Sequence, residues 1–185
     1  CILSKENMGY SKSNNLALKM VKTKYALVLN PDTILKEDSL ENFLHACGAL
    51  KDFAILAPYI QTEEDKKHKN VPSSPMAVES AKGFAMFLKI KKFYEIGFFD
   101  ENFFLYFEDT DFCLRVAGGG YRVVYYPKAS IIHHKGKSLE LSNRRIKNEF
   151  YFSLKYFFYK YKSKFRCWFL VRFFLPVGVL IRRLV

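Results

Sequence analysis

The chain has 185 residues, half of them hydrophobic, which suffices for one sizeable core and is too short for two comfortable ones. Its net charge of +12 is concentrated: residues 142–185 carry eleven Lys and Arg against the single Glu149, and the rest of the chain is nearly neutral. That distribution argues against a general nucleic-acid binder, which spreads basic residues over a folded face. Four scattered cysteines (Cys1, Cys47, Cys113, Cys167) form no CxxC pair, which argues against a zinc knuckle or a disulfide framework and for reduced, cytosolic thiols.

The opening CILSKENMGY reads as the end of a strand running into a loop, so a preceding segment is expected; no signal-peptide pattern is present. Residues 11–22 begin with Ser and Asn cap candidates and place Leu16, Met20 and Val21 on one side, which predicts a helix. YALVLN predicts a buried strand ended by the turn residues Asn30-Pro31-Asp32, which leaves Asp32 where strand gives way to loop. Residues 38–50 predict a second helix, and FAILAPYI the next strand. QTEEDKKHKNVPSSP has no apolar period and predicts an exposed loop. KGFAMFLKI predicts a strand with Phe84, Met86 and Leu88 on one face and Ala85 and Phe87 on the other. An aromatic segment with a Gly-centred turn, FYEIGFFDENFFLYF, follows. EDTDFCLRVAGGG predicts a short helix with acidic residues in its first turn and a Gly stop; YRVVYYP and ASIIHH predict two further strands. The order gives a layered α/β domain.

Three points could carry chemistry: Asp32 after a strand, Glu108-Asp109 with Asp111 at a helix start, and His133-His134 after a strand. Each has an ordinary reading: a turn Asp, a helix N-terminus with Asp111 pairing Arg115 at i,i+4, and imidazoles that are simply solvated or buried. Together they suggest more. Asp and His at the ends of separate strands can converge on one cation at the rim of a sheet, where α/β folds bind ligands. An oxygen donor plus an imidazole suits Mn²⁺ or Mg²⁺ with positions left for phosphate oxygens.

The stretches ENMGYSKSNNLAL, YALVLNPDTIL, KGFAMFLKIKKFYEIGFFDENFFLYFEDTDFCLR, GYRVVYYPKASIIHHKGKS and NEFYFSLKYF resemble, in order and spacing, the family 2 glycosyltransferases, most closely their rhamnosyltransferase-like members. The resemblance implies a GT-A type, Rossmann-like mixed sheet flanked by helices, here without the family's first β-α-β unit. The catalytic domain would occupy residues 1–141, followed by a basic, aromatic-rich, amphipathic helical tail over 142–185.

By the same resemblance Asn7, Gly9 and Asn15 help bind the donor nucleotide, and Asn30 and Asp32 stand in place of the DxD motif. Gly83 lies by the donor sugar, Asp109 matches the catalytic base, Glu108 shapes the acceptor site, and His133 joins Asp32 in holding a divalent metal, Mn or Mg. The implied activity is inverting transfer of a sugar, rhamnose from dTDP-rhamnose, to a cell-surface glycan or lipid-linked precursor. The alternative is a noncatalytic nucleotide- or glycan-binding relic of the same fold, against which the joint presence of Asp32, Asp109 and His133 speaks.

In the tail, Ile146, Phe150, Leu154, Phe157 and Tyr161 recur at helical spacing among Lys and Arg. No run reaches the ~20 apolar residues of a spanning helix. The tail is therefore expected to associate with the membrane interface, with the protein peripheral on the inner, cytoplasmic face of the cell membrane; the alternative is that the stripe packs as ordinary core on the catalytic domain.

Overall fold

Apolar alternation decides where the sheet lies. The computed structural model describes residues 2–61, 72–133 and 143–164. In β5 (Ala85–Lys89), Met86 and Leu88 point to one core and Phe87 to the other, as a two-residue period requires. The first six residues of β3 (Phe53–Gln61) are all buried, the mark of a central strand covered on both faces. These strands sit in a six-stranded sheet of order β1-β5-β3-β6-β2, where β1 is Tyr25–Leu29, β2 Thr33–Leu35 and β6 Arg122–His133; β4 (Met76–Val78) pairs β6 off that path. β3 and β6 run parallel and the other pairs antiparallel, giving the mixed sheet expected.

Helices cover both faces. On one, Leu18 of α1 (Gly9–Leu18), Phe93 of α3 (Ile90–Ile96), and Phe112 and Val116 of α4 (Glu108–Gly118) pack on Ile55, Met86 and Leu88. On the other, α2 (Ser39–Ala49) inserts Phe43, stacked on Phe87 at 4.8 Å between ring centroids.

The structure corrects three readings of the sequence. YRVVYYP and ASIIHH form one strand, because β6 runs through Pro127. Its partner register jumps from Pro58↔Tyr126 to Tyr59↔Ser130, so a bulge absorbs the proline that cannot donate to the ladder. The aromatic segment after β5 starts with α3, which ends where Gly97 takes φ 93°. The short strands β2 and β4 each have three residues, too few for a period to show.

The helix expected in the tail is present as α5 (Asn143–Lys160), and its apolar stripe packs on the domain. Phe157 meets Phe103 and Phe107, Phe150 meets Tyr106 and Phe107, and Ser153 Oγ donates to the Leu105 carbonyl at 2.7 Å. Residues 165–185 of that tail, His134, and residues 62–71 of the charged loop lie outside the described residues.

Lys160 locks this docking. Its ammonium lies 2.6 Å from Asp100 and 2.5 Å from Asp111, whose carboxylate is fully buried and also receives Arg115 Nε at 2.9 Å and the Tyr161 hydroxyl at 2.8 Å. Burial alone would raise the Asp100 carboxyl, but Lys160, the backbone and amide of Asn102, and Tyr156 outweigh it and hold it at about 2. Because the folded value is depressed, this stabilisation is complete above the ordinary value of 3.8 and is lost as pH falls toward about 2. Lys160→Met removes a charged hydrogen-bond donor from Asp100 and Asp111 while Arg115 still pairs Asp111, and should cost about 2–3 kcal/mol at neutral pH in denaturant melts. The part of that difference that belongs to Asp100 should shrink as the medium is acidified through that window; a difference that did not shrink at all would contradict the Lys160–Asp100 pairing.

Candidate active site

The Asn30-Pro31-Asp32-Thr33 segment closes as a hydrogen-bonded turn, with proline at the position where its fixed φ is already correct. Thr33 N–H and Oγ1 both donate to the Asn30 carbonyl, at 3.1 and 2.5 Å, and Asn30 N–H donates to the Phe84 carbonyl at 3.0 Å. The turn joins β1 to β2, and β2 pairs with the end of β6 so that Thr33 faces His133. Asp32 Oδ2 consequently lies 3.5 Å from His133 Nε2, with both side chains largely buried. Phe84 stacks on the imidazole at 4.1 Å between centroids and 7° between planes, which fixes the ring's orientation.

The spacing of the pair is compatible with a shared divalent cation, as it is with a plain Asp–His contact. Two ligands at ~2.1 Å from one ion and roughly at right angles stand about 3 Å apart, close to the separation seen. Among the described residues no cluster of three or more His, Cys, Asp or Glu forms, so the remaining positions would fall to water and ligand oxygens.

Phe84 also leads to the second half of the site. Its neighbour Gly83 donates its N–H to Asp109 Oδ2 at 3.0 Å, and the Gly83 carbonyl accepts the Tyr10 hydroxyl. A Cβ at position 83 would lie 3.1 Å from Tyr10 Oη and 3.5 Å from Asp109 Cβ, so glycine is what lets the β5 approach, α1 and α4 meet. Asp109 Oδ1 is held by its neighbour Thr110, through the backbone N–H at 2.6 Å and Oγ1 at 3.2 Å. Three donors orient this half-buried carboxylate, with lone pairs remaining for a further proton or donor.

The carboxylates reach this corner through strained backbone. Tyr106 and Phe107 adopt φ of 72° and 68°, a region that costs an L side chain on the order of 1–3 kcal/mol per residue. Phe150 and Phe157 of α5 press on these rings. Glu108 is 5% exposed, and its Oε2 has no hydrogen-bond partner among the described residues. Burial, reinforced by the charge of Asp109 and only partly opposed by the residue's own N–H, pushes its carboxyl up to about 7. Burial beside Glu108 and Asp109 also raises the Tyr10 hydroxyl, which stays a donor to Gly83.

At the chain's start, Asn7 Oδ1 accepts the Gly9 N–H at 3.0 Å, leaving its exposed amide nitrogen outward. Gly9 takes φ +76°, and a Cβ there would meet the Phe104 carbonyl at 2.5 Å. Thus the Asn7–Gly9 turn is built against the loop that leads to Glu108. Asn15 corrects its expected donor-binding role. It is 1% exposed, its Nδ2 donates to the Phe99 carbonyl at 2.8 Å and Glu101 at 3.0 Å, and its Oδ1 accepts the Phe99 N–H. An amide spent in this way stitches α1 to the aromatic segment and has nothing to offer a nucleotide.

The structure therefore brings Asp32, His133, Gly83, Asp109 and Glu108 to one corner, with Asn30 bonded into it and Asn7 and Gly9 bordering it. Sequence reasoning missed Tyr10 and Phe84. Both flank positions that it did single out, Gly9 and Gly83, and an aromatic beside a required glycine is the signal that could have found them.

The family model for glycosyl transferase family 2 matches residues 1–115. The chain is 28% identical over 160 residues to the rhamnosyltransferase WbbL of Escherichia coli K12, covering 68% of this chain and 61% of that protein. It is 38% identical over 56 residues to the N-acetylglucosaminyl-diphospho-decaprenol L-rhamnosyltransferase of Mycobacterium tuberculosis, covering 30% of this chain and 18% of that one. The chain thus spans about three fifths or less of the length of these relatives. Among solved structures it shares its fold with GalNAc-T7, crystallised with UDP, GalNAc and Mn²⁺: TM-score 0.61 at 11% identity, over 80% of this chain and 35% of the other.

Glu108 supplies a test independent of any ligand. Its folded value, raised from 4.5 to about 7, means the neutral form is preferred, so its contribution to stability is full below 4.5 and is lost as pH rises through about 7. Relative to Glu108→Gln, the wild type should lose on the order of 3 kcal/mol between pH 4.5 and pH 7.5 in urea melts. A pH-independent difference would show that the carboxyl is solvated.

Proposed function

Because the chain belongs to glycosyl transferase family 2, we propose that it is an inverting, metal-dependent glycosyltransferase that moves rhamnose from dTDP-rhamnose to a lipid-linked glycan precursor. One observation carries this reading: the Gly83 N–H holds Asp109 while the ring of the next residue, Phe84, holds His133 beside Asp32. A candidate base and a candidate cation pair thus sit on consecutive residues of one strand approach. The rhamnose and the lipid-linked acceptor are inferred from what the names of the two bacterial relatives say of those proteins.

In the proposed reaction the acceptor hydroxyl attacks the anomeric carbon as its proton passes to Asp109, and the bond to the diphosphate breaks with its electron pair leaving on the diphosphate. Attack opposite the leaving group inverts the anomeric centre. Asp32 and His133 would hold Mn²⁺ or Mg²⁺, a Lewis acid that stabilises the charge of the departing diphosphate. No acid is then needed for the leaving group, in contrast to hydrolases that pair an acid with a carboxylate. Glu108, whose carboxyl burial pushes up to about 7, would in its neutral form donate a hydrogen bond to the acceptor sugar and keep a second full charge away from Asp109. Gly83, closed in by Tyr10 and Asp109, serves to position Asp109 beside the donor sugar, while Asn30, Asn7 and Gly9 contact the donor. Such an enzyme would work on the cytoplasmic side, peripheral to the inner face of the membrane where lipid-linked precursors are presented.

The test is nucleoside diphosphate release from a panel of nucleotide sugars, with Mn²⁺ or Mg²⁺ and a polyprenyl-diphosphate-linked acceptor. Asp109→Asn should lower kcat by about 10²–10⁴ with little change in donor KM. Asp32→Ala should raise the metal concentration needed for half-maximal rate. Equal turnover by wild type and Asp109→Asn would remove Asp109 as the base.

A further inference from the structure

α5 has two unlike halves. At 100° per residue, Ile146, Phe150, Ser153, Phe157 and Lys160 fall on the half turned to the domain, and the helix's one acidic residue, Glu149, lies on the same half. The opposite half exposes Phe152 at 62% and Tyr159 at 60%, interleaved with Lys155 and flanked by Arg145, Lys147 and, in the following turn, Lys162. Lys162 Nζ sits 5.0 Å from the Tyr159 ring centroid, so cation and aromatic form one patch. A face that combines large exposed aromatic rings with cations and carries no acid is unsuited to water or to a second copy of itself. It suits a surface that accepts rings at headgroup depth and presents negative charge.

We propose that this outward face of α5 is the surface by which the protein lies on an anionic lipid bilayer. The proposal rests on the reading of a lipid-linked acceptor and specifies where the membrane stands relative to the site. The buried half of the same helix touches Leu105, Tyr106 and Phe107, immediately before Glu108 and Asp109. A bilayer on the outer half is therefore separated from the catalytic loop by about one helix diameter, ~10 Å. Lys160 fixes that geometry: it ties α5 to Asp111, one turn along α4 from Glu108, and to Asp100. The cations used for the membrane (Arg145, Lys147, Lys155, Lys162) are distinct from the one used for the clamp.

The experiment is co-sedimentation of the full chain, without donor, with vesicles of phosphatidylglycerol and phosphatidylcholine and with vesicles of phosphatidylcholine alone. Wild type should prefer the anionic vesicles and release with added salt. A Phe152→Ser/Lys155→Glu/Lys162→Glu variant should bind them at least ~25-fold more weakly, at about fivefold for each cation removed. A Lys51→Glu/Lys128→Glu control, of equal charge change elsewhere on the surface, should bind much closer to wild type. Lys155→Gln/Lys162→Gln guards against misfolding and should show an intermediate loss. Turnover on a short-chain, water-soluble acceptor should be unchanged in the face variant, which separates loss of membrane from loss of chemistry. If no acceptor is ever turned over, the transferase reading fails while the vesicle result still stands or falls alone. Vesicle binding by the face variant equal to wild type would overturn the proposal, as would a dimer that this variant dissolves while its vesicle binding persists.

Discussion

The constraint on which the site depends is the absence of a side chain at residue 83. There the backbone entering β5 passes between the hydroxyl of Tyr10 and the carboxylate of Asp109, and its peptide groups bond to both. A Cβ there would come within 3.1 Å of the Tyr10 hydroxyl, so the phenol, and with it the bond to the Gly83 carbonyl, would have to shift by a few tenths of an ångström. From this point the fold extends in two directions. Through Phe84 the strand holds His133 and, by the Asn30 hydrogen bond, the turn that carries Asp32; through Asp109 it fixes the start of α4. A single backbone segment thus registers the residues proposed to bind a cation against the residue proposed to take a proton.

The start of α4 also has to be held from the other side, because Tyr106 and Phe107 occupy a backbone region that side chains avoid. α5 supplies that restraint by packing aromatic rings on both residues and by placing Lys160 between Asp100 and Asp111. A helix that looks from sequence like an appendage is in this sense part of the support of the loop that leads to Glu108 and Asp109.

The long elements were legible because their apolar periods are clean: β5 alternates between two cores, and the helix starts at Asp38-Ser39 and Glu108 carry the expected polar residues. Three elements were not. β2 and β4 are too short to show a period, and β6 hides its continuity behind Pro127, whose missing N–H is harmless only because a bulge spares it a ladder bond. In the site, Asp32, His133, Gly83 and Asp109 could be singled out as residues, but their convergence depends on pairing β1 with β5 and β2 with β6, contacts between segments 50 to 100 positions apart. Asn15 was misread because an asparagine near a glycine-containing loop looks the same in sequence whether it faces a nucleotide or, as here, the Phe99 backbone. The polarity of the α5 stripe was visible, while which surface it meets was decided by Ser153, Phe157 and Lys160 finding partners on the domain.

Asp32, His133, Gly83 and Asp109 are proposed to form one ligand site. Paramagnetic broadening tests it directly: backbone amide resonances of the full chain are followed while Mn²⁺ and a nucleoside diphosphate are added together. The account predicts that the amides of Asp32, His133, Phe84, Gly83 and Asp109 broaden first and together, ahead of those around Asp100 and Lys160, and that Asp32→Ala abolishes the effect. Broadening centred on the Asp100–Asp111 cluster, or confined to Asp32 and His133 with Gly83 and Asp109 unaffected, would contradict it.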